Sequence, residues 1–224
     1  MYNDNIRNKI IEIGKKNECL QELFQMLSRE AMIYYCPCIS EETLSEVSIG
    51  NDEYVVIATS ENVLSKSKGY LEFNNYIKID AISIIGSVLR KGNKGVVINL
   101  GDESQLILDT NMLKLLYREV IAMDLYMKGG AYVIQNDKDY GLLEIEEIKL
   151  FNIALTEVDA IRIKEQLNQK GSVIFKCWKE IFPYFVMSKC NALVYNFNSK
   201  DMVLIGEPYL GWLYDSPFQQ LKSI

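Results

Sequence analysis

The chain has 224 residues, with 24 Lys and Arg against 30 Asp and Glu, a net charge of -6, and 49% hydrophobic residues. The apolar content excludes a disordered chain, and the acidic surplus argues against a dedicated nucleic-acid binder or a surface that docks on anionic lipid, since both need a basic face. It contains no histidine, which removes the usual general base, the usual proton shuttle and the commonest metal ligand together.

In chain order, residues 5–29 read as helix. Ile6, Ile10, Ile13, Leu20, Leu23, Phe24 and Leu27 recur at three- and four-residue spacing, and Asn17 punctuates the run. Residues 31–36 form a short apolar and aromatic strand, which Pro37 ends. Residues 40–52 are polar and acidic and read as loop. Residues 54–58 are a buried-strand run, and Thr59 or Ser60 caps a short helix over 60–66. Residues 76–79 are a strand. Asp80 then caps a helix carrying Ile82, Ile85, Val88 and Leu89. Residues 96–99 and 105–108 are strands around a turn at 100–104. Asp109 or Thr110 caps a long helix with Leu113, Leu116, Val120, Met123 and Met127 on one face, ended by Lys128-Gly129-Gly130.

Gly129-Gly130 marks the expected boundary between a first domain, 1–129, and a smaller second domain, 130–224. The second opens with a strand at Tyr132 to Ile134 and a longer alternating stretch over 142–152. Thr156 starts a helix. After Gly171-Ser172, Ile174, Cys177, Trp178 and Ile181 describe another helical face, which Pro183 stops. Residues 192–197 and 202–205 form a hairpin. No internal repeat stands out. The expected fold is α+β, two modules of mixed β-sheet flanked by helices. No apolar leader follows the polar first residues and no run is long enough for a membrane helix. With five scattered cysteines, this predicts a cytoplasmic protein.

Candidate chemistry is sparse. Cys36 and Cys38 could hold a metal or form a redox pair, but two thiols without an imidazole leave a zinc site half built, so no metal is expected there. The loops at Gly92 to Gly95 and Leu100 to Glu103 lack the phosphate-binding patterns and read as turns. Glu144, Glu146 and Glu147, like Asp102 and Glu103, read as solvated acidic faces. The serines have no recognisable base. No catalytic residue and no cofactor is assigned. Tyr209, Trp212, Tyr214 and Phe218 cluster near the C-terminus and suit either a partner surface or a tail that packs on its own domain.

The order of elements from Phe24 to Tyr117 resembles the N-terminal domain of the SseB family. The resemblance rests on the helix at Leu20 to Leu27, the strand at Met32 to Tyr35, and Val55-Val56-Ile57-Ala58-Thr59-Ser60-Glu61. It continues through Ile77 to Leu89 and closes on Gly95-Val96-Val97-Ile98-Asn99, where Leu100 replaces the proline usual in that family. Residues 173–183, 192–195 and Leu204-Ile205-Gly206-Glu207 are similar to its C-terminal domain. The resemblance implies no catalytic residues. The sequence therefore points to a non-enzymatic interaction or regulatory protein. Its partners would be proteins, with a homodimer through Tyr132 to Ile134 or the aromatic tail among them. The rival reading is a small-molecule-binding or hydrolytic enzyme with a site of Ser, Lys, Tyr and carboxylates.

Overall fold

A computed structural model describes residues 2–16, 20–40, 43–137 and 139–220, and the statements below concern these. The chain is α+β and divides into two compact units, residues 1–120 and 121–224.

The first unit opens with α1 (Tyr2–Lys16) and α2 (Leu20–Glu30). Their apolar stripes are buried at Ile6, Ile10, Leu23, Phe24 and Leu27. Asn17, the expected punctuation, lies outside the described residues. There follow β1 (Ile33–Ser40), β2 (Thr43–Leu44), β3 (Glu46–Ile49), β4 (Asp52–Ile57), α3 (Glu61–Lys66), β5 (Asn75–Asp80), α4 (Ala81–Lys91), β6 (Gly95–Ile98), β7 (Leu106–Asp109) and α5 (Thr110–Lys128). One sheet runs β2-β1-β5 and the other β3-β4-β6-β7, with β4 and β6 parallel.

Two expectations fail here. Pro37 lies inside β1 rather than ending it, and the stretch expected as loop forms β2 and β3. Pro37 is tolerated because β1 changes partner around it. Tyr35 bridges Ala58, Cys38 pairs with Leu44, and the Pro37 carbonyl accepts the Ser45 N–H at 2.8 Å. The hairpin of β3 and β4 turns at Gly50, whose φ of +64 suits a residue without Cβ. The caps fall as expected: Ser60 accepts the Val63 N–H, Asp80 the Ser83 N–H, and Asp109 those of Asn111 and Met112.

The second unit holds β8 (Gly130–Asn136), β9 (Asp139–Tyr140), β10 (Leu142–Ile145), β11 (Ile148–Ile153), α6 (Glu157–Gln166), β12 (Ser172–Cys177), α7 (Trp178–Met187), β13 (Ala192–Tyr195), β14 (Val203–Ile205) and α8 (Tyr209–Tyr214). The stretch expected as one strand over 142–152 is a hairpin, turning at Glu146 with φ 56. The helical face expected from Ile174 begins only at Trp178. Residues 172–177 pair with β8 instead, because β-branched and aromatic side chains fit a sheet as readily as a helix. Pro183 sits within α7 rather than ending it. The burial of Trp178, Ile181, Phe182 and Phe185 offsets the lost backbone bond, a cost of about 3 kcal/mol.

The two units divide after Val120, inside α5, and not at Gly129-Gly130. The last turns of α5 belong to the second unit, where Trp178 Nε1 donates to the Leu125 carbonyl at 3.3 Å and Tyr126 stacks on Trp212. The glycines serve other ends. Gly129, at φ 66, closes α5, and a Cβ on Gly130 would stand 2.2 Å from the Lys176 carbonyl oxygen.

The units also repeat one another. The sheets β9-β8-β12 and β10-β11-β13-β14 reproduce β2-β1-β5 and β3-β4-β6-β7 strand for strand, with the same parallel central pair. The Tyr35–Ala58 bridge recurs as Tyr132–Ala154. Ser60 and Thr156 cap the corresponding helices α3 and α6. Ile57-Ala58-Thr59-Ser60-Glu61 is echoed by Ile153-Ala154-Leu155-Thr156-Glu157, and Asn99 by Asn196, both at positive φ. The sequence shows this duplication only in such short echoes, because seven short strands leave few positions where packing dictates one residue type.

Candidate functional site

In sheets with parallel strands, ligands commonly bind beyond the carboxyl ends of those strands. In the first unit that place lies past β4 and β6, and a polar node fills it. Asn99 Oδ1 accepts from the Thr59 amide at 2.9 Å and from the Thr59 hydroxyl at 3.1 Å. Asn99 Nδ2 donates to Ser104 Oγ at 3.0 Å, and that hydroxyl donates to Asp102 Oδ1 at 2.7 Å. Arg7 Nε reaches both oxygens of Asp102, at 2.9 and 3.0 Å. Lys66 donates to Oδ2, and the Ser104 amide donates to Oδ1 at 2.9 Å.

The Asp102 side chain is fully buried. Burial pushes its carboxyl up, but the Lys66, Ser104 and Arg7 hydrogen bonds more than reverse this and hold it well below the ordinary carboxylate range. The node thus joins α1, α3 and the turn between β6 and β7, spending its polar groups on one another. Ser104, 1% exposed, donates to a carboxylate that two cations already hold, so it is no nucleophile. The second unit carries a reduced counterpart: Asn196 Nδ2 donates to Asp201 Oδ2 at 3.0 Å, Ser199 donates to Oδ1, and Arg162 donates to Asn196 Oδ1 at 3.1 Å.

The other candidates assemble no further polar cluster of this kind among the described residues. Cys36 and Cys38 are buried, and burial, with Cys38 beside it, pushes the Cys36 thiol up to about 12. Among the described residues no three of Cys, Asp and Glu gather to hold a metal ion. Gly92 closes α4 at φ 81, and Gly101 has the Tyr70 ring where a Cβ would stand. Glu144 pairs loosely with Lys149 at 4.0 Å in the β10–β11 hairpin. No described helix is long and apolar enough to cross a membrane.

Within the second unit, Trp212 stacks on Tyr126 with centroids 4.2 Å apart and planes at 1°. Phe218 meets Tyr126 edge-on at 6.0 Å, and Tyr214 meets Phe182 edge-on at 5.6 Å while staying 47% exposed. Tyr209 is half-buried. Tyr132 to Ile134 lies in β8, the middle strand of its sheet, with Val133 and Ile134 buried.

Sequence reasoning passed over the feature that faces solvent most openly. β5 is an edge strand, and five of its six residues are exposed. Tyr76 and Ile77 on it, with Ile33 on β1, are large exposed hydrophobics. Lys78 lies 5.0 Å from the Tyr35 ring centroid and 3.3 Å from Glu61, and Tyr35 and Tyr76 are 5.8 Å apart. Hydrogen bonds from Tyr76 and Lys78 lower the Glu61 carboxyl, and Glu61 in turn raises both partners. The corresponding strand β12 is half-buried from Val173 to Cys177. An alternation of Tyr, Ile, Lys and Ile was visible in the sequence, but not that one edge of this strand has no neighbour.

Compared with protein families, with curated proteins and with solved structures, the chain matches none.

Proposed function

We propose that this is a non-catalytic interaction protein of SseB-like build, which takes an extended segment of a protein partner onto the free edge of β5. The observation that carries this reading is the exposed edge itself. A strand with unpaired backbone groups and exposed Tyr76 and Ile77 is a template for strand addition, and natural proteins usually protect such edges. The polar node supports it from the other side. The residues nearest to an enzyme site, Ser104, Lys66 and Asp102, are committed to holding α1, α3 and the β6–β7 turn together. The SseB-like residues Thr59 and Asn99 bond to each other in that node, so their role is architectural.

The test is a photo-crosslinking residue in place of Ile77, with the same residue in place of exposed Glu72 as control, irradiated in the cytosol that expresses the chain. Adducts to protein at position 77, and none at 72, are expected. No adduct at 77 sinks the reading.

A further inference from the structure

We infer that the segment added on β5 is β5 of a second copy of this chain, antiparallel about a twofold axis; the inference rests on the strand-addition reading above. A twofold axis perpendicular to a sheet keeps each face of both strands on its own side. Directly opposed residues then share a face, and only registers centred on a residue are possible. Few such registers suit Asn75–Asp80. Centring on Lys78 sets two ammonium groups face to face, which is destabilising. Centring on Ile79 opposes Lys78 to Asp80, but little strand overlaps, since α4 begins at Ala81. Centring on Tyr76 leaves Lys78 opposite Asn74.

Centring on Ile77 opposes each Lys78 to the other copy's Tyr76, and each Asn75 to the other copy's Ile79. Within one copy, Tyr35 is already the cross-strand neighbour of Lys78, and Pro37 of Tyr76. The row across the joined sheet then reads Tyr35, Lys78, Tyr76, Pro37, with the lysine between two tyrosine rings, and the twofold repeats it. Lys78 already lies over Tyr35 at 5.0 Å, so half of this arrangement is in place. On the opposite face Ile77 meets its own copy at the axis. This moves the contact away from Tyr132 to Ile134, which β8 places inside a sheet, and from the tail, whose Trp212 and Phe218 rings pack on Tyr126.

Light scattering on the full chain, over rising concentration, should show a mass climbing from 25.8 kDa toward twice that value. Lys78→Gln removes the charge without setting a carboxylate against Glu61, keeps the fold, checked by circular dichroism, and should weaken association about tenfold through two lost cation–aromatic contacts. Ile77→Cys, in a chain whose Cys36 and Cys38 are replaced by alanine so that no thiol of the same copy lies beside position 77, should yield a disulfide-linked dimer on mild oxidation, because opposed residues bring their Cβ atoms about 5 Å apart. Tyr76→Cys, displaced from the axis, should not. A constant mass of 25.8 kDa, or equal linking from both positions, overturns the inference. Foreign peptides in the position-77 photoadducts of a monomeric chain would overturn it while leaving strand addition standing; no adducts at all would sink both.

Discussion

Replacing Asp102 by alanine should loosen the first unit and leave the second intact. The carboxylate is fully buried and receives hydrogen bonds from Arg7, Lys66 and both donors of Ser104. Removing one partner of a buried ion pair costs about 3–5 kcal/mol. The Lys66 and Arg7 side chains, 47% and 24% exposed, can turn partly to water, so the lower end applies, about 3 kcal/mol. Both tryptophans, Trp178 and Trp212, lie in the second unit, so their fluorescence reports on that unit. Hydrogen exchange read by mass spectrometry reports on the first. Amides of α1 and of the β6–β7 turn should exchange about a hundredfold faster, as about 3 kcal/mol implies. The fluorescence midpoint in urea should stay put. The pH dependence has a definite sign. The folded carboxyl is held low, so its contribution is present above the unfolded value near 4 and is lost as pH falls through the folded one. The wild-type advantage should therefore shrink by about 1 kcal/mol between pH 7 and pH 3, as the unfolded chain takes up the proton first. An unchanged exchange rate in α1, or a deficit equal at both pH values, would refute the reasoning.

Asn99→Ala removes two accepted bonds and one donated bond in a buried site and leaves alanine at φ 60; urea titration followed by exchange in α3 should show a loss of about 3 kcal/mol. Cys36, buried and pushed up to about 12, should resist iodoacetamide at pH 8 in the folded protein and react on denaturation; rapid native labelling of Cys36 in a peptide map would contradict its placement. The same raised thiol predicts stability falling above pH 9, where the unfolded thiol ionises and the folded one does not, measurable by urea midpoints from pH 8 to 10. Trp212→Ala removes the stack on Tyr126 and should lower the melting temperature of the second unit, with a cost of about 2 kcal/mol; an unchanged melt would show that the tail does not cover its own unit.

The local grammar of this protein is legible in the order of its residues. Ser60, Asp80, Asp109 and Thr156 announce their helices because a short polar side chain beside an apolar run has one obvious use, to accept a terminal amide. Residues 54–58 and 96–99 announce strands because continuous β-branched runs suit little else. The α+β class follows from those runs alone. What that order does not contain is long range. Pro37 and Pro183 are terminators by propensity, yet tertiary pairing and the apolar face of α7 carry both elements past them. The boundary at Gly129-Gly130 dissolved into a helix stop and a close approach to Lys176. Asp102 looked like solvated acid, and only folding brought Arg7, distant in sequence, to its oxygens. The duplication was present as Ile-Ala-x-[Ser/Thr]-Glu and a lone asparagine in each half, too short to notice until matching strand orders aligned them. Whether a strand has a neighbour is likewise no property of its own residues. Asn75–Asp80 and Ser172–Cys177 hold the same edge place in their sheets, but the surrounding chain leaves five of six residues exposed in the first and half-buries five of six in the second.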